Sequence, residues 1–277
     1  MSIKNIAEFI TELKKIPKSK FSELYFRGHS DIDYQLVPGI YRTRNLINNE
    51  HNLFKEFLLR TSSDFLNDKS ALEKLVKMQH YGLPTRLLDI TTNPLVALYF
   101  TCSEKGKKDG NVIAFKIPKK DIKYYDSDTA SIISNIAKRD NKFEINRIKG
   151  LTVKEFNDED EIAYLIHEIK EEKSYFQSII DEKDIERVIA VKVKQNNGRI
   201  IKQSGAFLLF GISGKKSIPA KIPNDWILNL DLKGVDFKID NDSKDEILEE
   251  LNVLGISEAT LFPELDNQAK YLKKYYG

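Results

Sequence analysis

Hydrophobic residues recur at helical spacing in several parts of the chain. Over residues 1–16 the apolar positions lie three or four residues apart, which predicts an amphipathic N-terminal helix. The same spacing predicts helices over residues 50–66 and 70–82, the second ending at Gly82 and Pro84. A further apolar helix is predicted to begin at Asn93, an N-cap residue, with Pro94 at the first helical position.

Short apolar runs rich in β-branched and aromatic residues predict strands, most of them in the second half of the chain. These runs lie around residues 24–27 and at 110–118, 186–193, 205–211, 217–222 and 226–232. Between them, residues 119–184 are rich in Lys and Glu and show weaker helical patterns, so we interpret them as a helical insertion. Residues 242–277 are predicted to form two helices separated by Gly255 and Pro263, the first capped by Asp242 or Ser243.

The pattern predicts an α+β fold: mixed, mainly antiparallel sheets of short strands flanked by helices. No repeat or low-complexity linker divides the sequence, so residues 1–277 are expected to form a single unit. The polar stretch 78–94 is interpreted as a loop between two helices.

Composition narrows the classes of partner. The 277 residues include 41% apolar residues, enough for a core, and 44 basic against 42 acidic residues leave a net charge of +2. No overall electrostatic field would therefore draw the chain to nucleic acid or to an anionic membrane. A lone cysteine, Cys102, together with the absence of a long apolar run, leads us to expect a cytoplasmic protein without disulfides or membrane spans.

Candidate chemistry is concentrated in three polar stretches. In "YFRGHSD", Arg27 ends an apolar run, and its permanent charge requires a carboxylate or an anion such as a phosphate, while Gly28 permits close approach. The second stretch is "MQHYGLPTRLLDITTNP" (78–94), and the third places Gln203 just before a strand. Each residue has a structural explanation of its own, such as an Arg86–Asp89 pair. Convergence of the three stretches would favour a functional site.

Several chemistries lack their usual signatures. The four histidines have no paired zinc-binding spacing, so no metal site is predicted. The sequence also contains no GxxxxGK(S/T) phosphate loop and no glycine-flanked serine elbow.

Five segments together resemble the FRG domain family, whose name corresponds to Phe26-Arg27-Gly28. They are "YFRGHSD", "PGIYR" (38–42), "MQHYGLPTRLLDITTNPLVALYF" (78–100), "QSGAF" (203–207) and "GISEATLFPELDNQAKYL" (255–272). The resemblance extends from about residue 20 to about residue 272, and the long central segment makes it specific. The family occurs in bacterial and phage-related settings.

This family pattern is in turn similar to that of the ADP-ribosyltransferase superfamily, which implies an ADP-ribosyltransferase-like core and NAD as a substrate, with no resident cofactor. By this resemblance Arg27 would bind the dinucleotide, and Gln203 would occupy the place of a late glutamate. An amide there lacks the negative charge that stabilises an oxocarbenium-like transition state, a charge that Asp89 could supply from the same cleft. The implied catalytic residues are Asp89, Gln203 and His80; the implied substrate-binding residues are Arg27, Gly28, His29, Tyr81, Arg86 and Thr91.

Three functions stay open. The first is ADP-ribosyltransferase or NAD glycohydrolase activity, in a bacterial defence or toxin system. The second is a non-catalytic module that senses a nucleotide and signals through the helical insertion, which the Gln203 departure favours. The third is a protein that binds or modifies nucleic acid through the basic runs 104–108, 118–123 and 137–147, although the adjoining acidic residues and the net charge disfavour it.

Overall fold

A seven-stranded mixed sheet forms the centre of the fold. The computed structural model describes residues 2–104, 106–228 and 237–276. In chain order its strands are β1 (Ser22–His29), β2 (Leu87–Thr91), β3 (Gly110–Pro118), β4 (Ile122–Tyr124), β5 (Val188–Lys192), β6 (Gly205–Phe210) and β9 (Lys238–Ile239). Within the sheet they follow the order β4-β5-β6-β2-β1-β3-β9, and all neighbours are antiparallel except the parallel pair β4–β5. A separate hairpin joins β7 (Ile212–Ser213) to β8 (Lys215–Pro219).

Helices surround this sheet, which confirms the α+β class. They are α1 (Ile6–Lys14), α2 (Arg44–Asn48), α3 (Glu50–Arg60), α4 (Ala71–His80), α5 (Pro94–Cys102), α6 (Asp128–Asn135), α7 (Val153–Asp158), α8 (Asp160–Glu172), α9 (Glu182–Ile185), α10 (Gly198–Lys202), α11 (Lys244–Val253), α12 (Glu258–Leu261) and α13 (Leu265–Tyr276).

Local signals explain where the helices next to the site begin. The Asn93 side chain accepts a hydrogen bond from the Leu95 N–H, with Pro94 in the first turn of α5, as predicted. A reciprocal capping box between Ser70 and Glu73 starts α4.

Both faces of the sheet are covered. On one face α1, α5 and α11 pack on β1 and β3 around Phe9, Ala97 and Phe237, while α4 and α6 pack on β2, β6 and β5. The opposite face packs against Tyr41 and Trp226. Within the insertion, α7 and α8 have a core of their own.

Some predicted elements differ from the structure. The stretch 78–94 is not a loop throughout, because Leu87–Thr91 forms the central strand β2. The insertion 119–184 is mostly helical but contributes β4, and the C-terminal region holds three helices where two were predicted. The predicted strand 226–232 is instead the end of a 3-10 turn at Trp226, and its residues 229–232 lie outside the described residues.

In the portion of the chain that the structure describes, no helix has the length and hydrophobicity needed to cross a bilayer.

Candidate functional site

The site lies where β1 and β2 separate. β1 pairs with β3 along its whole length, yet its pairing with β2 within the described chain is limited to Phe26–Thr91. Beyond that pair the two strands diverge and leave a cavity of about 340 Å³. Its polar lining comes from β1, β2, α4, α10 and the intervening loops: Arg27, His29, Ser30, Tyr34, Arg42, Gln79, His80, Asp89, Thr91, Ser103, Glu104, Arg199 and Gln203.

Arg27 bridges the gap between the two strands. Its Nη1 donates to the backbone oxygen of Asp89 at 2.8 Å, a carbonyl that lies on the β2 edge facing β1. Its Nε donates to Nε2 of His29 at 3.1 Å. Both acceptors are electrically neutral. The nearest carboxylate oxygen, Asp89 Oδ2, lies 4.0 Å from Nη1, at the outer limit of an ion pair.

His29 is an interior residue and exposes 4% of its surface. Burial, together with the charges of Arg27 and Arg42, lowers the pKa of His29 to about 4. The imidazole is therefore neutral near pH 7, and its Nε2 acts as the acceptor for Arg27. The ring is also fixed from the other side by Tyr34, through an edge contact at 6.0 Å between ring centroids.

Asp89 presents its carboxylate to the cavity. Strand alternation buries Leu88 and Ile90, whereas Asp89 stays exposed. Gln79 Nε2 donates to Asp89 Oδ2 at 2.9 Å, and Gln79 is itself fixed because its Oε1 accepts from Thr85 Oγ1 at 2.7 Å. The carboxylate is thus oriented by a neutral amide.

Gln203 lies at the end of α10, directly before β6. Its side-chain amide Nε2 donates to the Leu261 carbonyl at 3.2 Å. Thr91 contacts the backbone of Gln203, because its Oγ1 donates to the Gln203 backbone oxygen at 2.6 Å. Thr91 therefore fixes the backbone that carries Gln203.

His80 ends α4 at the same cavity. Its Nε2 lies 3.3 Å from Oε1 of Glu264 in the C-terminal segment. Burial lowers the pKa of His80, although the negative charge of Glu264 opposes that shift.

Two arginines and two aromatic residues of the lining did not stand out in the sequence. Burial lowers the pKa of both Arg27 and His29, and the nearby positive charge of Arg42 adds to the lowering. Arg199 lies over the Phe262 ring, with 4.7 Å between the guanidinium carbon and the ring centroid. Tyr34 and Phe100 add aromatic surface. "PGIYR" carried Arg42 in the resemblance, but nothing local in that pentapeptide points to a cavity.

Two of the expected binding residues, Arg86 and Tyr81, lie outside the cavity lining. Arg86 is 0% exposed and does not line the cavity, because its guanidinium is bonded to Glu50 and to the Phe210 carbonyl. It therefore neither positions Asp89 nor reaches a ligand. Tyr81 is 66% exposed and also lies outside the lining, where it contacts the His80 ring.

Gly28 lines the cavity, but its close approach is to protein backbone. A Cβ at this position would lie 2.1 Å from the Ala97 carbonyl oxygen, so the glycine is required for packing α5 onto β1.

No group of three or more His, Cys, Asp or Glu side chains in the described residues is arranged to hold a metal ion.

The match to a known family falls on the part of the chain that forms most of this site. The family model of the FRG domain matches residues 22–110, which include β1, Arg42, α4, β2 and α5. The chain contains an FRG domain. The FRG match thus covers the strand split and most of the cavity lining, while α10 and Gln203 lie beyond it. No curated protein and no solved structure matches the chain.

Proposed function

We propose that the FRG cavity binds the phosphate groups of a nucleotide of the NAD class. The observation that carries this proposal is the pair of guanidinium groups of Arg27 and Arg42, which face one cavity without close neutralisation. Among the described residues no carboxylate lies within ion-pair distance of Arg42, and the single carboxylate near Arg27 is 4.0 Å away. Like charges held together raise each other's energy, and a bound anion removes that cost.

The rest of the lining suits the nucleoside parts of such a ligand. Tyr34 and Phe100 offer aromatic surface, and the volume of about 340 Å³ is within the range of small-molecule sites, which is roughly 300–1,000 Å³. The cavity opens to solvent, so a long ligand could extend beyond it. We propose that the FRG unit includes the chain beyond residue 110 and has an ADP-ribosyltransferase-like core, since Arg199 and Gln203 complete the same cavity.

The proposed reaction is cleavage of the bond between nicotinamide and the ribose C1′. Nicotinamide leaves with the bonding electron pair, positive charge develops on the ribose, and water or an acceptor hydroxyl attacks C1′ and releases a proton. The Asp89 carboxylate supplies the negative charge that stabilises this ribose cation. The side-chain amide oxygen of Gln203 accepts a hydrogen bond from a ribose hydroxyl. His80 contacts the nicotinamide side, where burial keeps its imidazole neutral near pH 7.

A second candidate is binding without turnover. The side chains that would act on the ribose already have partners, since Gln79 holds Asp89 and the Leu261 carbonyl holds Gln203. This arrangement favours a rigid recognition site, as expected of a nucleotide-sensing module.

Incubation of the purified protein with NAD separates the two functions. Release of nicotinamide, measured by chromatography with mass detection, supports the reaction. In that case Asp89→Asn should lower the rate about 10²- to 10³-fold, while NAD still raises the melting temperature of the variant. A rise in melting temperature without nicotinamide release supports sensing. Arg27→Ala and Arg42→Ala should abolish either response, whereas Arg147→Ala, at a 90% exposed side chain, should change neither. The proposal is wrong if NAD and ADP-ribose neither shift the melting temperature nor are consumed.

A further inference from the structure

Two hydrogen-bond acceptors that carry no charge orient the Arg27 side chain. The proposed phosphate-binding role does not by itself explain why these acceptors are neutral. A guanidinium has three nitrogens, and the structure assigns two of them. Nε donates to the His29 ring and Nη1 donates to the Asp89 backbone, both at hydrogen-bond distance. Nη2 makes no hydrogen bond among the described residues and belongs to a side chain that lines the cavity.

We propose that His29 is a positioning residue that aims Arg27 Nη2 at the ligand anion without itself neutralising the positive charge of the guanidinium. This inference rests on the proposed function. It reassigns His29, which the family resemblance places among the substrate-binding residues, to a role exerted through Arg27.

The nature of the acceptor decides what Arg27 offers to a ligand. A carboxylate at position 29 would fix the guanidinium equally well, but it would neutralise the charge and compete with the incoming phosphate. A neutral ring nitrogen fixes the direction of the side chain without that competition. Arg86 shows the other arrangement in the same molecule, because its Nε and Nη2 both donate to the Glu50 carboxylate.

The burial of His29 is consistent with this role. At 4% exposure the ring offers little surface to a ligand, and it is fixed between Arg27 and Tyr34. Burial, together with the charges of Arg27 and Arg42, lowers the pKa of His29 to about 4, so the imidazole is neutral near pH 7. No carboxylate is recorded within ion-pair distance of His29 in the described part of the chain.

The test compares three substitutions that separate acceptor geometry from charge. His29→Gln places a neutral amide oxygen near the position of Nε2, His29→Glu places a charged oxygen at the same position, and His29→Phe keeps a ring with no acceptor. Binding of ADP-ribose and of inorganic pyrophosphate is measured by calorimetry. In parallel, the Nε–H of Arg27 is observed by ¹⁵N NMR and assigned by its loss in Arg27→Lys.

The expected results differ for each variant. His29→Gln should keep the Arg27 Nε–H signal and bind within about threefold of wild type. His29→Glu should keep the signal but bind about ten- to hundredfold more weakly, as expected for the loss of a charge-assisted contact. His29→Phe should lose both the protected signal and affinity. The double variant Arg27→Ala/His29→Phe should lose less affinity than the sum of the two single losses, because His29 acts through Arg27.

Two outcomes would overturn the inference: equal affinity of the Gln and Glu variants, or wild-type affinity and an unchanged Nε–H signal in His29→Phe. If wild type binds neither probe, the proposed function fails and the anion part of this inference fails with it. The NMR signal then still decides whether His29 orients Arg27, so the two failures are distinguishable.

Discussion

Two arginines next to β2 are used in opposite ways. Arg86 is fully buried and forms two hydrogen bonds with the Glu50 carboxylate, which also lies 3.2 Å from Lys216 Nζ. Burial opposes ionisation of Glu50, but the two cations hold the pKa of its carboxyl below the usual value. Burial also opposes ionisation of Lys216, and for this amine it lowers the pKa to about 8. Arg86 therefore joins α3 to the sheet. Arg27, whose hydrogen-bond acceptors are neutral, instead presents a positive charge to the cavity.

Glu50→Gln should destabilise the protein by about 3–5 kcal/mol, because it leaves Arg86 and Lys216 buried without their carboxylate. Urea unfolding at pH 7 measures the change. The control is Glu56→Gln on the same helix, where the carboxylate forms an exposed pair with Arg60 and is expected to contribute about 1 kcal/mol or less. Equal stability of the two variants would contradict a structural role for the buried pair.

The sequence alone suggested that Arg86 and Asp89 form a pair, and strand geometry explains why they do not. Successive side chains of a strand point to opposite faces, so residues three apart cannot share a face. Asp89 reaches the cavity, and Arg86 points into the interior. The separation follows from the strand Leu87–Thr91, which the sequence did not predict.

At the level of elements, predictability followed the strength of local signals. The asparagine and proline at the start of α5 and the β-branched run of β3 were sufficient to predict both elements from the sequence. β2 was missed because its five residues hold an aspartate in the middle, and an apolar run that short does not distinguish strand from loop. β4 was missed for a similar reason, since three residues carry no periodicity.

The C-terminal segment forms an outer support of the cavity, which the sequence did not indicate. Within residues 261–264, the Leu261 carbonyl binds Gln203, Phe262 lies under Arg199 and Glu264 lies beside His80. Phe262 also contacts the Phe100 ring at 6.0 Å between centroids. Four residues of the lining thus depend on one short stretch far away in sequence.

Phe262→Ala should weaken binding of ADP-ribose about two- to tenfold, because Arg199 loses its ring contact and the Leu261 carbonyl loses a packed neighbour. Phe262→Tyr, which keeps the ring, should bind like wild type. Leu272→Ala, at an exposed position on α13, controls for changes in the C-terminal helix itself. Affinity is measured by calorimetry and folding by circular dichroism. Wild-type affinity of a folded Phe262→Ala variant would show that the segment does not support the site.

At the scale of the whole molecule, the cavity exists because a sheet is incompletely paired. Arg27, Asp89 and Gln203 come from three distant parts of the chain and line one cavity, and the family resemblance suggested that grouping. The sequence did not reveal the separation of β1 from β2, because strand pairing is a non-local property. Arg42 was missed for the same reason, since its value to the site arises only from its distance to Arg27.

The buried histidine of this cavity should also leave a mark on the pH dependence of global stability. The unfolded chain binds a proton at His29 near pH 6.5, but the folded protein does so only near pH 4, since burial, Arg27 and Arg42 disfavour the imidazolium. Between these values the unfolded state holds more protons, so the free energy of unfolding rises with pH, by at most about 3.4 kcal/mol for this group. His51 and His80 also have lowered pKa values and contribute slopes of the same sign.

A difference measurement isolates the contribution of His29. Urea unfolding of wild type and His29→Gln is compared at pH 7, 5.5 and 4.5, with His167→Gln, which removes an exposed imidazole from α8, as the control. Wild type should lose more stability than His29→Gln on acidification, because the variant has no group to protonate in the unfolded state. Parallel pH profiles for the two proteins would mean that the imidazole gains its proton equally well in the folded state. Below about pH 6.5 the ring would then be charged beside Arg27 and could not serve as its acceptor.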